Sequence, residues 1–277
     1  MQKKITSFDG TQINYSLSKN SENDAYLVFL HGLGGDLTAW KKELNFFKSK
    51  GISTLAVDLR GHGKSDRPDL LDKYKLEYFA RDVKTIIDHE KIKKLIIVGH
   101  CFGGVVTIMF HKLFPNLAKS YILVDTTYKA PDKLEYLRKK HPYLINIMNL
   151  IVGNMNLRKK YFSHVDFSRF EGTSDYDMRR IYSDITNTTL KSWLFTFQTL
   201  GQFNGVKILK SMKKPVLVVV GQNDTIFDVL KAKKINSLVT GSELKIIPDA
   251  NHIVVFNNPI ELQNLIFKFV KKFPGFS

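Results

Sequence analysis

Leu95-Ile96-Ile97-Val98-Gly99-His100-Cys101-Phe102-Gly103-Gly104 runs without interruption into Val105-Val106-Thr107-Ile108-Met109-Phe110. The first four residues form the continuous β-branched and apolar run of a strand buried on both faces. From Phe102 to Phe114 the pattern is that of a helix. The change falls within a few residues, around Gly-x-Cys-x-Gly-Gly. A turn that short presses strand and helix together so tightly that side chains beside Cys101 would collide, hence the flanking glycines. It also lifts Cys101 above a sheet edge, at the positive end of a helix, which favours thiolate over thiol.

The same alternation extends outward. Strand-like runs fall at Lys3 to Thr6, Gln12 to Leu17, Ala25 to Leu30, Ser53 to Val57, Ser120 to Val124, Val216 to Val220 and Leu244 to Ile247. Helical patterns fall at Leu37 to Lys50, Leu76 to Glu90, Phe227 to Leu238 and Ile260 to Lys272. This order predicts an α/β fold with a mostly parallel, roughly eight-stranded sheet and helices on both faces. The stretch 126–205 breaks the rhythm: it is aromatic and helical in pattern, punctuated by Pro131 and Pro142. A structureless loop of that length is improbable in a domain, so a helical lid inserted between two core segments, 1–125 and 206–277, is expected.

The Gly-His-Cys-Phe-Gly-Gly stretch in its strand-to-helix context resembles the nucleophile elbow of α/β-hydrolases, with Cys101 where serine is usual. Further features are similar to that family's pattern. Leu27 to Leu30 leads into His31-Gly32-Leu33-Gly34-Gly35, similar to the family's oxyanion loop. Val216 to Val220 leads to Gly221-Gln222-Asn223-Asp224, and Pro248-Asp249-Ala250-Asn251-His252 follows the last strand. Nucleophile, acid and base thus stand in the chain order this fold uses. The resemblance implies Cys101 as nucleophile, His252 as base and Asp224 as the acid that orients it. It also implies the backbone N–H groups of Leu33 and Phe102 as oxyanion donors, each worth ~3–4 kcal/mol to a tetrahedral intermediate. Asp125, also at a strand end, is the rival acid, because some members place theirs there. Asp249 lies too near His252 in sequence to orient it. Gly61-His62-Gly63-Lys64-Ser65 mimics the end of a phosphate loop, but Asp58 stands where that motif needs glycine. The stretch from Asp58 instead resembles the family's Asp-x-Arg-Gly-x-Gly-x-Ser turn.

Composition narrows the classes further. The chain has 277 residues, 43% of them hydrophobic, which suffices for a large core. Its single cysteine excludes an intramolecular disulfide and a thiolate zinc cluster. The net charge of +16 suggests nucleic acid at first. The lysines and arginines are scattered, with triplets at Arg138-Lys139-Lys140 and Arg158-Lys159-Lys160 and no nucleic-acid motif. A Lys-rich solvated surface is the expectation, with no nucleic-acid or membrane partner. Met1 to Gly10 begins positively but lacks a following apolar stretch, which predicts a cytoplasmic protein. No metal-ligand spacing occurs, so neither metal nor cofactor is expected; monomer and dimer both remain open.

The resemblance implies a carboxylic ester or thioester hydrolase, with a small to medium apolar acyl compound as substrate and an acyl-enzyme on Cys101. Dehalogenases and epoxide hydrolases of this fold use a carboxylate nucleophile, which Cys101 is not. The alternatives are an acyltransferase and a ligand receptor that turns over slowly or not at all. The sequence leaves open whether Cys101 is the natural nucleophile or replaces serine. Trp193, Phe197, Phe203 and Ile253 are the candidates for an apolar substrate wall, with lid packing as the competing role of the first three.

Overall fold

Strand residues alternate between two core layers, and that alternation shows how the sheet is covered. Leu95 and Ile97 pack with Val28, Leu30 and Val218 on one side, while Ile96 and Val98 pack with Leu27, Phe29 and Val219 on the other. The structure, a computed structural model, describes residues 2–20, 24–131, 136, 139–141, 143, 147, 151–152 and 163–276. Pro142, Arg138 and the triplet at 158–160, singled out above, lie outside the described residues.

Eight strands form one sheet: β1 (Gln2–Thr6), β2 (Gln12–Ser18), β3 (Ala25–Leu30), β4 (Ser53–Val57), β5 (Lys94–His100), β6 (Ser120–Val124), β7 (Val216–Gly221) and β8 (Glu243–Ile247). Their order is β1-β2-β4-β3-β5-β6-β7-β8. β2 is antiparallel to both its neighbours, and every later pairing is parallel. The α-helices among the described residues are α1 (Lys41–Ser49), α2 (Leu76–His89), α3 (Phe102–Leu113), α4 (Met178–Thr188), α5 (Leu190–Leu200), α6 (Val206–Ser211), α7 (Val229–Leu238), α8 (Val254–Asn257) and α9 (Pro259–Val270). Phe79 and Val83 of α2, Val105 and Val106 of α3 and Ile235 of α7 cover one face. Phe47 of α1 and Leu262, Ile266 and Phe269 of α9 cover the other. Both faces are therefore dry, as parallel strands require. No helix among the described residues is long and apolar enough to cross a membrane.

Local chemistry shifts some expected boundaries. Asp36 accepts the Thr38 N–H at 2.8 Å, so a 3₁₀ turn at Leu37–Trp40 precedes α1. Asp228 caps α7 through the Lys231 N–H and starts it at Val229. α6 and α8 are too short for a helical period to be read from sequence. The stretch that mimics a phosphate loop is turned inward: Lys64 N–H and Ser65 Oγ–H donate to Asp58, at 2.9 and 2.6 Å. Arg60 is fully buried between Asp82, at 2.6 Å, and Asp9, at 3.1 Å.

Two features of this topology place the site. β4 lies on one side of β3 and β5 on the other, so the loops leaving β3 and β5 diverge and open a crevice above their carboxyl ends. β5 then reverses into α3 within one residue, which the glycines make possible. A Cβ at residue 99 would stand 2.3 Å from the Gly103 carbonyl oxygen, and one at residue 103 would stand 2.1 Å from that of Leu30. Gly103→Ala is accordingly expected to cost about 3 kcal/mol or more in urea unfolding. Gly172→Ala, in open space at a φ of +75°, is expected to cost about 1–2 kcal/mol. Equal costs would contradict the packing explanation.

Candidate active site

Cys101 stands at the reversal with φ 52° and ψ −115°, a conformation that L-residues rarely adopt. Three hydrogen bonds hold it there. Its N–H donates to Val124 O at 3.0 Å, and its carbonyl accepts from Gly104 N–H at 3.0 Å and Thr126 Oγ–H at 2.6 Å. The side chain is partly exposed. The N–H of Phe102 opens α3 and has no intrahelical acceptor, as at any helix N-terminus. The Phe102 ring is buried edge-on to Phe79.

Two loops converge on this point. β7 ends at Gly221 and delivers Asp224, whose Oδ1 accepts the N–H groups of Ile226 and Phe227 at 2.7 and 2.8 Å. Its Oδ2 is thereby aimed at His252 Nδ1, 2.8 Å away. Cys101 and His252 line the same cavity. Burial alone would lower the imidazole pKa, but the sulfur of Cys101 and the carboxylate of Asp224 hold it well above the usual histidine value. Burial pushes Asp224 upward, yet its bonds from His252, Phe227 and Ile226 leave it below the ordinary carboxylate range. Asp125 accepts only the Gly221 N–H, at 2.8 Å, and its other oxygen has no partner among the described residues. Burial raises the pKa of Asp125 well above the ordinary carboxylate value, with the charge of His252 opposing the shift and that of Asp224 adding to it. The structure thus brings Cys101, His252 and Asp224 together and leaves Asp125 off the His252 ring. Asp249 is exposed.

The surrounding polar groups fix these loops. His100 is buried, which drops its pKa to about 3 with the charge of His252 adding to the effect. The neutral ring donates from Nε2 to the His252 carbonyl at 2.9 Å. His31 likewise ties the loop after β3 to that after β4, accepting the Leu59 N–H at 3.0 Å. Asp175, in the segment between β6 and β7, was not foreseen. One of its oxygens accepts the His252 N–H at 2.9 Å, while the other accepts the Thr225 N–H and hydroxyl at 2.9 and 2.6 Å. It therefore clamps the base loop to the acid loop. A lone aspartate in a Ser-Asp-Tyr-Asp stretch carries no sequence signal for that role.

A cavity of about 50 Å³ adjoins Cys101. Its lining includes Leu33, His252, Ile253 and Phe256, together with Arg180 and Asp184 of α4. Trp193, Phe197 and Phe203 are not among the described residues that line this cavity. α5 is held against the Leu71–Tyr74 turn by Ser192–Tyr74 and Thr199–Tyr74 hydrogen bonds at 2.8 and 2.7 Å. Trp193 and Phe197 stack on each other at 5.2 Å, and Phe203 lines a separate groove with Leu71 and Met109. The helix that faces the cavity is α4, whose Arg180 and Asp184 were not singled out in the sequence.

Among the described residues one group has the composition of a metal site: Asp36, Asp58 and His164 offer atoms within 4.8 Å of one another. Its carboxylates already serve N–H donors. Asp36 accepts from Thr38 and Val165, and Asp58 from Leu37, Lys64 and the Asn14 amide. His164 Nε2 stands 2.8 Å from Asp58 Oδ2. The cluster ties chain segments together, a structural role that its donors explain fully.

Asp224 and Asp125 differ in a measurable way. Asp224→Asn should lower the His252 titration midpoint, read from imidazole NMR, by about one unit or more. Asp125→Asn, which removes a carboxyl with no hydrogen bond to the ring, should move it by less than about half a unit. Equal shifts would transfer the orienting role to Asp125.

Comparison with known proteins agrees with this geometry. The family described as alpha/beta hydrolase fold matches residues 26–259. Protein ABHD8 of Bos taurus is 25% identical over 277 residues, covering 97% of the chain and 59% of that protein, so the chain spans about three-fifths of that relative's length. Epoxide hydrolase 4 of Homo sapiens is 24% identical, covering 89% of the chain and 72% of that protein. An esterase from Exiguobacterium antarcticum superimposes with a TM-score of 0.76 at 17% identity, covering 98% of this chain and all of that one. A sheet that changes direction between β3 and β5, a forced reversal at Cys101 and a match across most of its length together make this chain a member of the alpha/beta hydrolase fold family.

Proposed function

We propose that this chain hydrolyses carboxylic esters or thioesters through an acyl-enzyme on Cys101. One observation carries the reading: Cys101 and His252 line one cavity at the carboxyl end of the sheet, and His252 Nδ1 stands 2.8 Å from Asp224 Oδ2. A cysteine beside an imidazole of raised pKa is an activated nucleophile. Its sulfur attacks the acyl carbonyl carbon, and the carbonyl oxygen becomes an oxyanion facing the N–H groups of Leu33 and Phe102. As the tetrahedral intermediate collapses, the imidazolium of His252 protonates the departing alkoxide or thiolate. Water then attacks the resulting thioester while His252 takes its proton, and Cys101 is released as thiolate. Asp224 keeps Nδ1 of His252 as the N–H tautomer and offsets the imidazolium charge throughout.

The nucleophile argues against epoxide opening, despite the likeness to an epoxide hydrolase. A carboxylate can be released from the alkyl-enzyme by hydrolysis of an ester, whereas a thiol would leave a stable thioether. Residues 126–205 act in this reading as a cap, through which α4 reaches the cavity.

Cys101→Ala is expected to reduce hydrolysis of phenyl and thiophenyl acyl esters to the uncatalysed rate. Rapid quenching of the unaltered protein should trap the acyl mass on the Cys101 peptide. Full activity after Cys101 is alkylated, or acyl mass on another residue, would overturn the mechanism. Asp175→Ala, which frees the loops of Asp224 and His252, should lower kcat by roughly 10- to 100-fold and change KM little. A change confined to KM would remove its positioning role.

A further inference from the structure

Two charged side chains face the catalytic cavity without a part in the hydrolysis just described. Arg180 and Asp184 stand one turn apart on α4 and line the cavity with Cys101 and His252. Arg180 Nη1 donates to Asp184 Oδ2 at 2.9 Å, and Nη2 to the Asp175 carbonyl at 2.5 Å. Its Nε–H is buried and has no hydrogen-bond partner among the described residues. An unmatched buried guanidinium N–H is costly, and Arg180 lines the cavity together with apolar Ala39, Phe167, Val255 and Phe256.

We propose that Arg180 forms an anion subsite that receives a carboxylate on the substrate's acyl chain, so that the substrates are esters or thioesters of short dicarboxylic acids. This rests on the hydrolase reading above. Guanidinium binds carboxylate or phosphate, and of the two a carboxylate is the smaller and the one that ends a short acyl chain.

Asp184 makes the subsite sensitive to pH. Burial pushes its carboxyl up to about 7, with Asp36 adding to the effect and Arg180 opposing it. The charged and titratable groups around it are Arg180 on its own helix, Asp36 after β3, His100 and Cys101 at the reversal, Asp175 before α4 and His252 after β8. Below about pH 7 Asp184 is neutral and Arg180 can pair with the ligand; above it the Asp184 carboxylate competes. A bound carboxylate raises Asp184 further, so binding takes up a proton.

The test compares phenyl hydrogen glutarate with phenyl 5-methylhexanoate, in which an isopropyl group replaces the carboxylate. The ratio of their kcat/KM values cancels the pH dependence of the chemical step, which both esters share. The unaltered protein should favour the acidic ester by about tenfold or more at pH 6.5. That ratio should fall as pH rises through about 7. Arg180→Met should reduce it by about tenfold or more, and Arg180→Lys should restore part of it. A ratio unaltered by Arg180→Met, or a preference for the neutral ester, overturns the subsite; a ratio flat with pH overturns the part given to Asp184. If neither ester is hydrolysed, the hydrolase reading fails and calorimetric titration of glutarate still decides the subsite. Binding to Cys101→Ala that is lost in the double variant with Arg180→Met supports it, and absence of millimolar binding overturns it.

Discussion

The backbone of Cys101 is the constraint on which the site depends. A strand running into a helix through one residue at φ 52° leaves no room for Cβ atoms at 99 and 103. The strain persists because Val124, Gly104 and Thr126 hold the residue from three directions. The same reversal sets the sulfur at the positive end of α3 and beside the crevice opened by the change in strand order. Everything else in the site is arranged around a point the sheet has already fixed.

The second level of organisation lies between the sheet and the segment that follows β6. Asn187 donates to the Gly34 carbonyl at 3.2 Å and to Asp36 at 3.1 Å, both in the loop that carries Leu33. Arg67 donates to the carbonyls of Asn187 and Thr188 at the end of α4. His164 meets Asp58. These contacts are polar and directional, so they fix the placement of α4 in a way that apolar packing alone would not. They are also how Arg180 and Asp184 come to stand beside Cys101.

The fold and the three central residues were legible in the sequence because each depends on a local pattern. β5 and α3 announce themselves by period, and the reversal by its glycines. Asp224 and His252 each follow a strand run, so knowing the strands located both. The wall of the cavity was not legible, because it depends on how α4 and α5 sit. Trp193, Phe197 and Phe203 have the composition of a substrate wall, but hydrogen bonds to Tyr74 hold α5 against the Leu71–Tyr74 turn. Asp175 and Arg180 act through tertiary contacts to loops 50 and more residues away, or through a cavity formed only after folding, and neither leaves a trace in local spacing. The choice between Asp224 and Asp125 needed coordinates for the same reason: both end strands, and only direction separates them.

Asp175 also links substrate enclosure to chemical competence. It belongs to the same chain segment as Arg180 and holds the backbone of both catalytic loops, so the cover and the proton relay share one anchor. By linkage, a ligand whose contacts favour this placement of the segment would favour the alignment of His252 with Asp224 by the same free energy. Occupancy and alignment are then two readings of one equilibrium, because a single carboxylate holds both loops.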